Sequence, residues 1–270
     1  MVADVVDAIG RERAAGSFAR LADRWIYVFM AALFVVTTLV GFIPDSIGMV
    51  AAVRAGQRPP LPPIYHAHAV LMGSWLLLLL TQSTLVATGR TALHRRLGLA
   101  GMVLAPAMVA AMLGMVLTAW WSVAAMPDGA MPAEALQSTK SLVANLSLEQ
   151  FRTMLFFAVF VGWALSVRKH DPQTHKRLLI LATVLPLPAA IDRMTWLYST
   201  LPASPTSAEV YSLLWLMPAL IYDVARRGSV HRAYVIGIAL NLPFVAASQL
   251  LWGSAWWMAT APKLMGVAHW

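Results

Sequence analysis

The sequence predicts an all-α fold: a polytopic membrane bundle of seven transmembrane helices with the amino terminus cytoplasmic and the carboxyl terminus outside. Three observations predict it. The 270 residues are 59% hydrophobic and 12% charged, against about 25% charged residues in a soluble domain, so the natural solvent is a bilayer. Seven apolar stretches recur along the chain, and Lys and Arg gather in every second connection between them. The absence of cysteine excludes a disulfide framework, a thiolate metal site, an iron–sulfur cluster and a thiol nucleophile.

The expected organisation is a cytoplasmic segment over residues 1–24, a bundle over 25–252 and an interfacial tail over 253–270. The first span covers 25–43 and ends at Pro44 and Asp45; no cleavage-site pattern precedes it, so it is retained. The second, 64–86, follows the Pro59-Pro60-Leu61-Pro62-Pro63 run and carries His66 and His68. The third, 97–121, bends at Pro106, and a loop over Ser122 to Leu148 follows it. Thr153 to Val167 is short of the roughly 20 residues that cross a bilayer, so the fourth span is placed at 147–167 and takes in Glu149 and Arg152. The fifth, 178–200, contains Pro186, Pro188 and the pair Asp192-Arg193. The sixth, 208–225, has a short apolar centre around Pro218, and the alternative is a re-entrant segment. The seventh is 234–252. In the tail, Trp256, Trp257 and Trp270 around Lys263 suit the headgroup level.

Orientation follows from the basic residues, which cytoplasmic loops retain. Arg11, Arg13, Arg20 and Arg24, then Arg90, Arg95 and Arg96, then Arg168, Lys169, Lys176 and Arg177, then Arg226, Arg227 and Arg232 fall on one side. Arg54, Arg58, Lys140 and Lys263 fall on the other. The net charge of +8 therefore reads as an insertion signal and a contact with anionic lipid headgroups, not as a nucleic-acid footprint. The expected location is a bacterial cytoplasmic (inner) membrane.

Polar residues inside spans are costly and mark function or packing. At 1.5 Å per residue, Asp192 lies about 22 Å from Arg177, Arg152 about 24 Å from Arg168 and Gln249 about 25 Å from Arg232, which places an outer layer of His66, His68, Arg152, Asp192, Arg193 and Gln249, with Glu149 at its rim. If Tyr65 to Ala67 is still extended after the prolines, His66 and His68 converge, and with Asp192 they form a set suited to zinc, copper or non-haem iron. The alternative for both histidines is an interfacial role. Asp192 and Arg193 are the candidate catalytic pair, with Asp192 a proton acceptor, and the alternative is an ion pair that fixes packing. An inner layer holds His94, His175 and His231, each opening a span beside arginines. Those arginines favour phosphate, haem propionates or lipid headgroups over a bare cation. The fifteen Met residues, Met72 and Met108 among them, suit copper or flexible packing. No Ser-His-Asp order, phosphate loop, dinucleotide fingerprint or His-Glu-x-x-His is present.

At Tyr65-His66-Ala67-His68, Leu93-His94-Arg95-Arg96-Leu97-Gly98, His175-Lys176-Arg177-Leu178 and Val230-His231-Arg232, the chain resembles a family of bacterial seven-helix integral membrane proteins of unknown function. The resemblance runs from Ile64 to Trp252 and implies a fold and a set of marked positions, with no activity to transfer. Helix-borne His also resembles membrane haem proteins, but the mid-helix His pairs of a diheme cytochrome are missing. Three functions remain open: a haem- or metal-binding redox protein or enzyme acting on a lipid-soluble substrate, a transporter or channel lined by Gln82, Asp192, Arg193, Asn241 and Gln249, and a structural subunit with a membrane-complex partner.

Overall fold

A computed structural model describes residues 2–127, 129–267 and 270; the side chains of Arg11 and Arg13, counted above toward the orientation, lie outside the described part. The elements are α1 (Val2–Arg54), α2 (Pro63–Ala87), α3 (Thr91–Ala124), α4 (Ala133–Val167), α5 (Pro172–Val184), α6 (Pro188–Ile191), α7 (Thr206–Arg227), α8 (Arg232–Leu251) and α9 (Ala255–Leu264), with no strand among the described residues. Six helices are long and apolar enough to cross a bilayer: α1 from Ala19 onward, α2, α3, α4, α7 and α8. Their outward faces expose Val70, Leu77, Leu99, Val103, Leu213 and Leu242, surface that only lipid solvates well. The protein is an integral membrane protein built as an all-α polytopic bundle.

The fifth crossing, expected over 178–200, is not a single helix. Pro186 and Pro188 supply no N–H to the ladder, so α5 ends at Val184, α6 is one turn, and the chain from Asp192 to Pro205 is irregular. Broken backbone at membrane depth is tolerated where protein covers it. Here α5 is the buried axis of the bundle, packed against α1, α4, α7 and α8, with Leu178, Ile180, Ala182 and Val184 buried, as is Ile191 of α6. Two glycines let neighbours approach this axis. A Cβ at Gly41 would overlap the Ala190 carbonyl, and one at Gly237 would overlap the Leu181 side chain.

Two other boundaries differ clearly from expectation. α1 continues through Pro44 to Arg54. α4 begins at Ala133 within the expected loop, because Ala133-Glu134-Ala135-Leu136-Gln137 are strong helix formers. α7 runs unbroken through Pro218 and is long and apolar enough to cross, in line with a sixth span over 208–225, and Gly228 at φ 75° closes that helix.

Two ion pairs mark the ends of the bundle. Asp23 on α1 accepts hydrogen bonds from Arg226 (2.7 and 2.8 Å) and Tyr222 (2.9 Å), and Asp45 on the same helix accepts from Arg193 Nε at 3.0 Å. The two carboxylates lie about 33 Å apart along α1, close to the roughly 30 Å of a hydrocarbon core. We call the Asp23 side the basic end and the Asp45 side the opposite end. Between them, Trp75, Phe156, Phe157 and Phe160 form an aromatic layer, with Trp75 against Phe157 at 5.0 Å and its indole N–H donated to Thr183 Oγ1 at 3.0 Å. The tail docks on α3 and α4: Trp257 Nε1 donates to the Ala144 carbonyl at 2.8 Å, and Trp270 lies over Trp120 at 4.1 Å. Trp256 faces outward.

Candidate functional site

Toward the opposite end, four side chains from three helices meet. Glu149 and Arg152 share one face of α4 at i and i+3, Glu209 stands in the first turn of α7, and Asn241 is in the middle of α8. Arg152 Nη2 donates to Glu149 Oε2 and to Glu209 Oε1, while Nη1 donates to Asn241 Oδ1 at 3.1 Å. The Arg152 side chain is 5% exposed, and its carboxylate partners keep 15% and 18%. Glu149 Oε1 and Arg152 Nε are buried without a hydrogen-bond partner. Two carboxylates thus share one guanidinium, about 21 Å along α7 from Asp223.

The outer layer expected from sequence separates into pieces. His66 and His68 sit in regular helix, because Pro63 already occupies the first turn of α2. They therefore point about 200° apart: His66 is exposed, while His68 is half-buried with Nδ1 unpartnered. Among the described residues Asp192 accepts a hydrogen bond from Ser199 Oγ alone, at 3.4 Å. Arg193 turns to Asp45 and the Ala189 carbonyl, its guanidinium 4.3 Å from the centre of the Phe42 ring, so it ties α1 to α6. Gln249 meets Thr206 at 3.4 Å. Among the described residues no three His, Asp or Glu side chains form a group able to hold a metal ion, so His66, His68 and Asp192 are not gathered into a triad.

The inner layer divides as well. Arg177 on α5 donates through Nε to both oxygens of Asp223 on α7 (3.1 and 2.9 Å) and through Nη2 to Oδ1; the side chains are 2% and 0% exposed. Arg177 Nη1 also donates to the Gln173 carbonyl and side chain, and the His231 N–H donates to Asp223 at 3.2 Å. The Tyr27 ring lies 4.5 Å from Lys176 Nζ and 5.9 Å from the Arg177 guanidinium. The three histidines do different work. His231 Nδ1 accepts the Ala233 N–H at 3.1 Å and caps α8, His175 Nδ1–H donates to the Ala164 carbonyl at 2.8 Å, and His94 Nδ1 has no partner. His94 lies beside Gln82, and among the described residues the three histidines do not form a group able to hold a metal ion. In the adjoining turn, Asp171 caps α5 by accepting the Thr174 N–H (3.0 Å) and hydroxyl (2.6 Å), and it also accepts from Arg232 at 2.9 Å. The Thr174 hydrogen bonds, followed by Arg232, hold its carboxyl well below the usual carboxylate range.

Sequence reasoning missed Glu209, which lies just outside the apolar centre of α7. A signal was present: Glu209 and Asp223 are four turns apart, within about 40° of one another on the helix surface, so one face of α7 carries an acid into each layer. No family model, characterised protein or solved structure matches this chain.

Proposed function

We propose that this chain is a proton-handling protein of the transport class, with Glu149 and Glu209 the proton carriers and Arg152 their fixed countercharge. One observation carries the reading: two carboxylates meet a single guanidinium inside the bundle. Charges inside a membrane are held only when paired. A structural pair needs one acid per base, and the second acid leaves the cluster one proton or one negative charge from balance. Asn241 keeps Arg152 in place while the acids exchange. The slight exposure of both carboxylates supports exchange with one face, and the aromatic layer of Phe156, Phe157 and Phe160 closes the way to the other. Closure on one side is what a carrier requires and a leak-free bundle needs. With the basic end cytoplasmic, as the Lys and Arg asymmetry implies, the cluster opens outward.

The test is an acid pulse applied to phosphatidylcholine vesicles that contain the protein and a pH-sensitive dye. Wild-type protein is expected to dissipate the gradient faster than empty vesicles, and Glu209→Gln is expected to remove most of that rate while the protein stays helical by circular dichroism. Infrared difference spectra on acidification should show a protonating carboxyl that Glu209→Gln abolishes. Identical spectra from the variant and the wild type would reject the assignment whatever the flux.

A further inference from the structure

We infer that the groove at the basic end, between the α4–α5 turn and the α7–α8 turn, binds the phosphate headgroup of an anionic phospholipid. This inference is independent of the proton cluster. The groove is an open depression of about 620 Å³ whose lining includes Arg227, Ser229, His231 and Arg232 and, further along α8, Val235 and Ile236.

The charge balance there is uneven. Arg177, Arg226 and Arg232 each have a carboxylate partner, in Asp223, Asp23 and Asp171. Arg227 has none among the described residues and is exposed into the groove. The only acid in the lining is Asp171, which Thr174 and Arg232 already occupy. The groove also lies at the amino-terminal end of α8, where the helix dipole favours an anion. An unpaired guanidinium, a Ser229 hydroxyl and that helix end together make a phosphate site.

The apolar part of the lining decides between a lipid and a free phosphate. Val235 and Ile236 are exposed on the outward face of the first turn of α8, about 5 Å deeper than Arg232. A free anion has no use for an apolar wall that continues into the bilayer, whereas a phospholipid lays its glycerol and acyl chain along it. The basic end is also the side on which anionic headgroups meet polybasic segments.

The full-length protein in detergent is titrated with phosphatidylglycerol and examined by native mass spectrometry. One lipid bound per chain is expected. Arg227→Gln should weaken it roughly fivefold, and Arg227→Gln with Arg232→Gln roughly 25-fold; Arg227→Lys should restore most of the affinity. These side chains are exposed, and the Arg232 to Asp171 pair is a weak surface pair, so the bundle stays folded. Val235→Ser with Ile236→Ser should weaken the lipid, and inorganic phosphate at the same concentration should fail to displace it. Displacement by inorganic phosphate, with no effect of the apolar double variant, would assign the groove to a free anion and overturn the lipid. Equal binding of phosphatidylcholine, or wild-type affinity in the double arginine variant, would overturn the site itself.

Discussion

The two charged layers of this bundle are built to opposite rules. At the basic end Arg177 and Asp223 are matched one to one, and both are fully enclosed. The carboxylate is saturated by the guanidinium and the His231 N–H, so no charge or lone pair is left to exchange. Toward the opposite end Arg152 faces two acids, and buried polar atoms remain unpartnered. A balanced, closed pair holds helices together, while an unbalanced, slightly open one has a charge state left to change.

The largest expected effect breaks the balanced pair. Asp223→Ala leaves the Arg177 charge buried without a partner and the α7–α8 turn without its acceptor, and a loss of about 3–5 kcal/mol is expected. Arg177→Met with Asp223→Leu should recover most of it, since removing both charges spares the desolvation cost. Thermal unfolding of the solubilised protein reads both, and a double variant no better than the single one would show that the pair is not the lock.

Next in size is a change that touches only the opposite end. Gly41→Ala places a methyl against the Ala190 carbonyl and pushes α1 away from α6, where Arg193 reaches Asp45. Overpacking of this kind costs about 1–3 kcal/mol. Hydrogen exchange should quicken around α6 and stay slow at Asp223; quickening at both ends would show that the two layers are not mechanically separate.

Glu209→Gln is expected to be the mildest of the buried changes. The amide oxygen still accepts from Arg152, and the cluster then holds one acid and one base, so stability should stay within about 1 kcal/mol of wild type. Asp223→Asn, the same chemical change in the balanced layer, should be far worse because it strands a guanidinium. Equal losses from the two substitutions would erase the distinction on which the proposed function stands.

The sequence made the bundle legible and the sites only partly so, and the reason is physical. Length and apolarity are local properties, so the runs in α2, α3 and α8 mark spans by themselves, whereas a proline alone does not mark a break: Pro186 and Pro188 interrupt the fifth span, while Pro106 and Pro218 sit inside α3 and α7. Asp192 and Arg193 follow α6 in the irregular segment beyond the two prolines and turn toward Ser199 and Asp45, so a depth counted along one continuous helix does not apply to them. His66 and His68 failed to converge because proline at Pro63 begins a helix as readily as it extends a loop. Depth along one helix was readable, whereas the partner across helices depends on rotation about each axis. Arg152 shows it: its position along α4 is readable from the sequence, but its partners Glu209 and Asn241 come from α7 and α8.

The smallest effect tests whether burial, and not membership of the basic end, makes the Arg177 to Asp223 pair strong. Asp171 and Arg232 form an ion pair in the same region, but Arg232 is 75% exposed and Asp171 22%, so water and salt screen the attraction. The Asp171 carboxyl titrates below its ordinary value in the folded protein, first through Thr174 and then through Arg232. A group whose folded value is lowered contributes stability above its unfolded value, near 3.9, and loses it as pH falls through the folded value. Stability should therefore be insensitive to this group at neutral pH and decline in acid below about pH 4. Asp171→Asn keeps an acceptor for the Thr174 N–H and loses the charge, so it should flatten the acid limb and leave neutral stability nearly unchanged. Asp171→Ala removes the cap and should lower stability at every pH. High salt should leave the Asp171 contribution largely intact, because hydrogen bonds from Thr174 dominate it, and should trim only the Arg232 part. A strong salt dependence at neutral pH would mean that the exposed pair carries real weight, and that enclosure is not what separates it from Arg177 and Asp223.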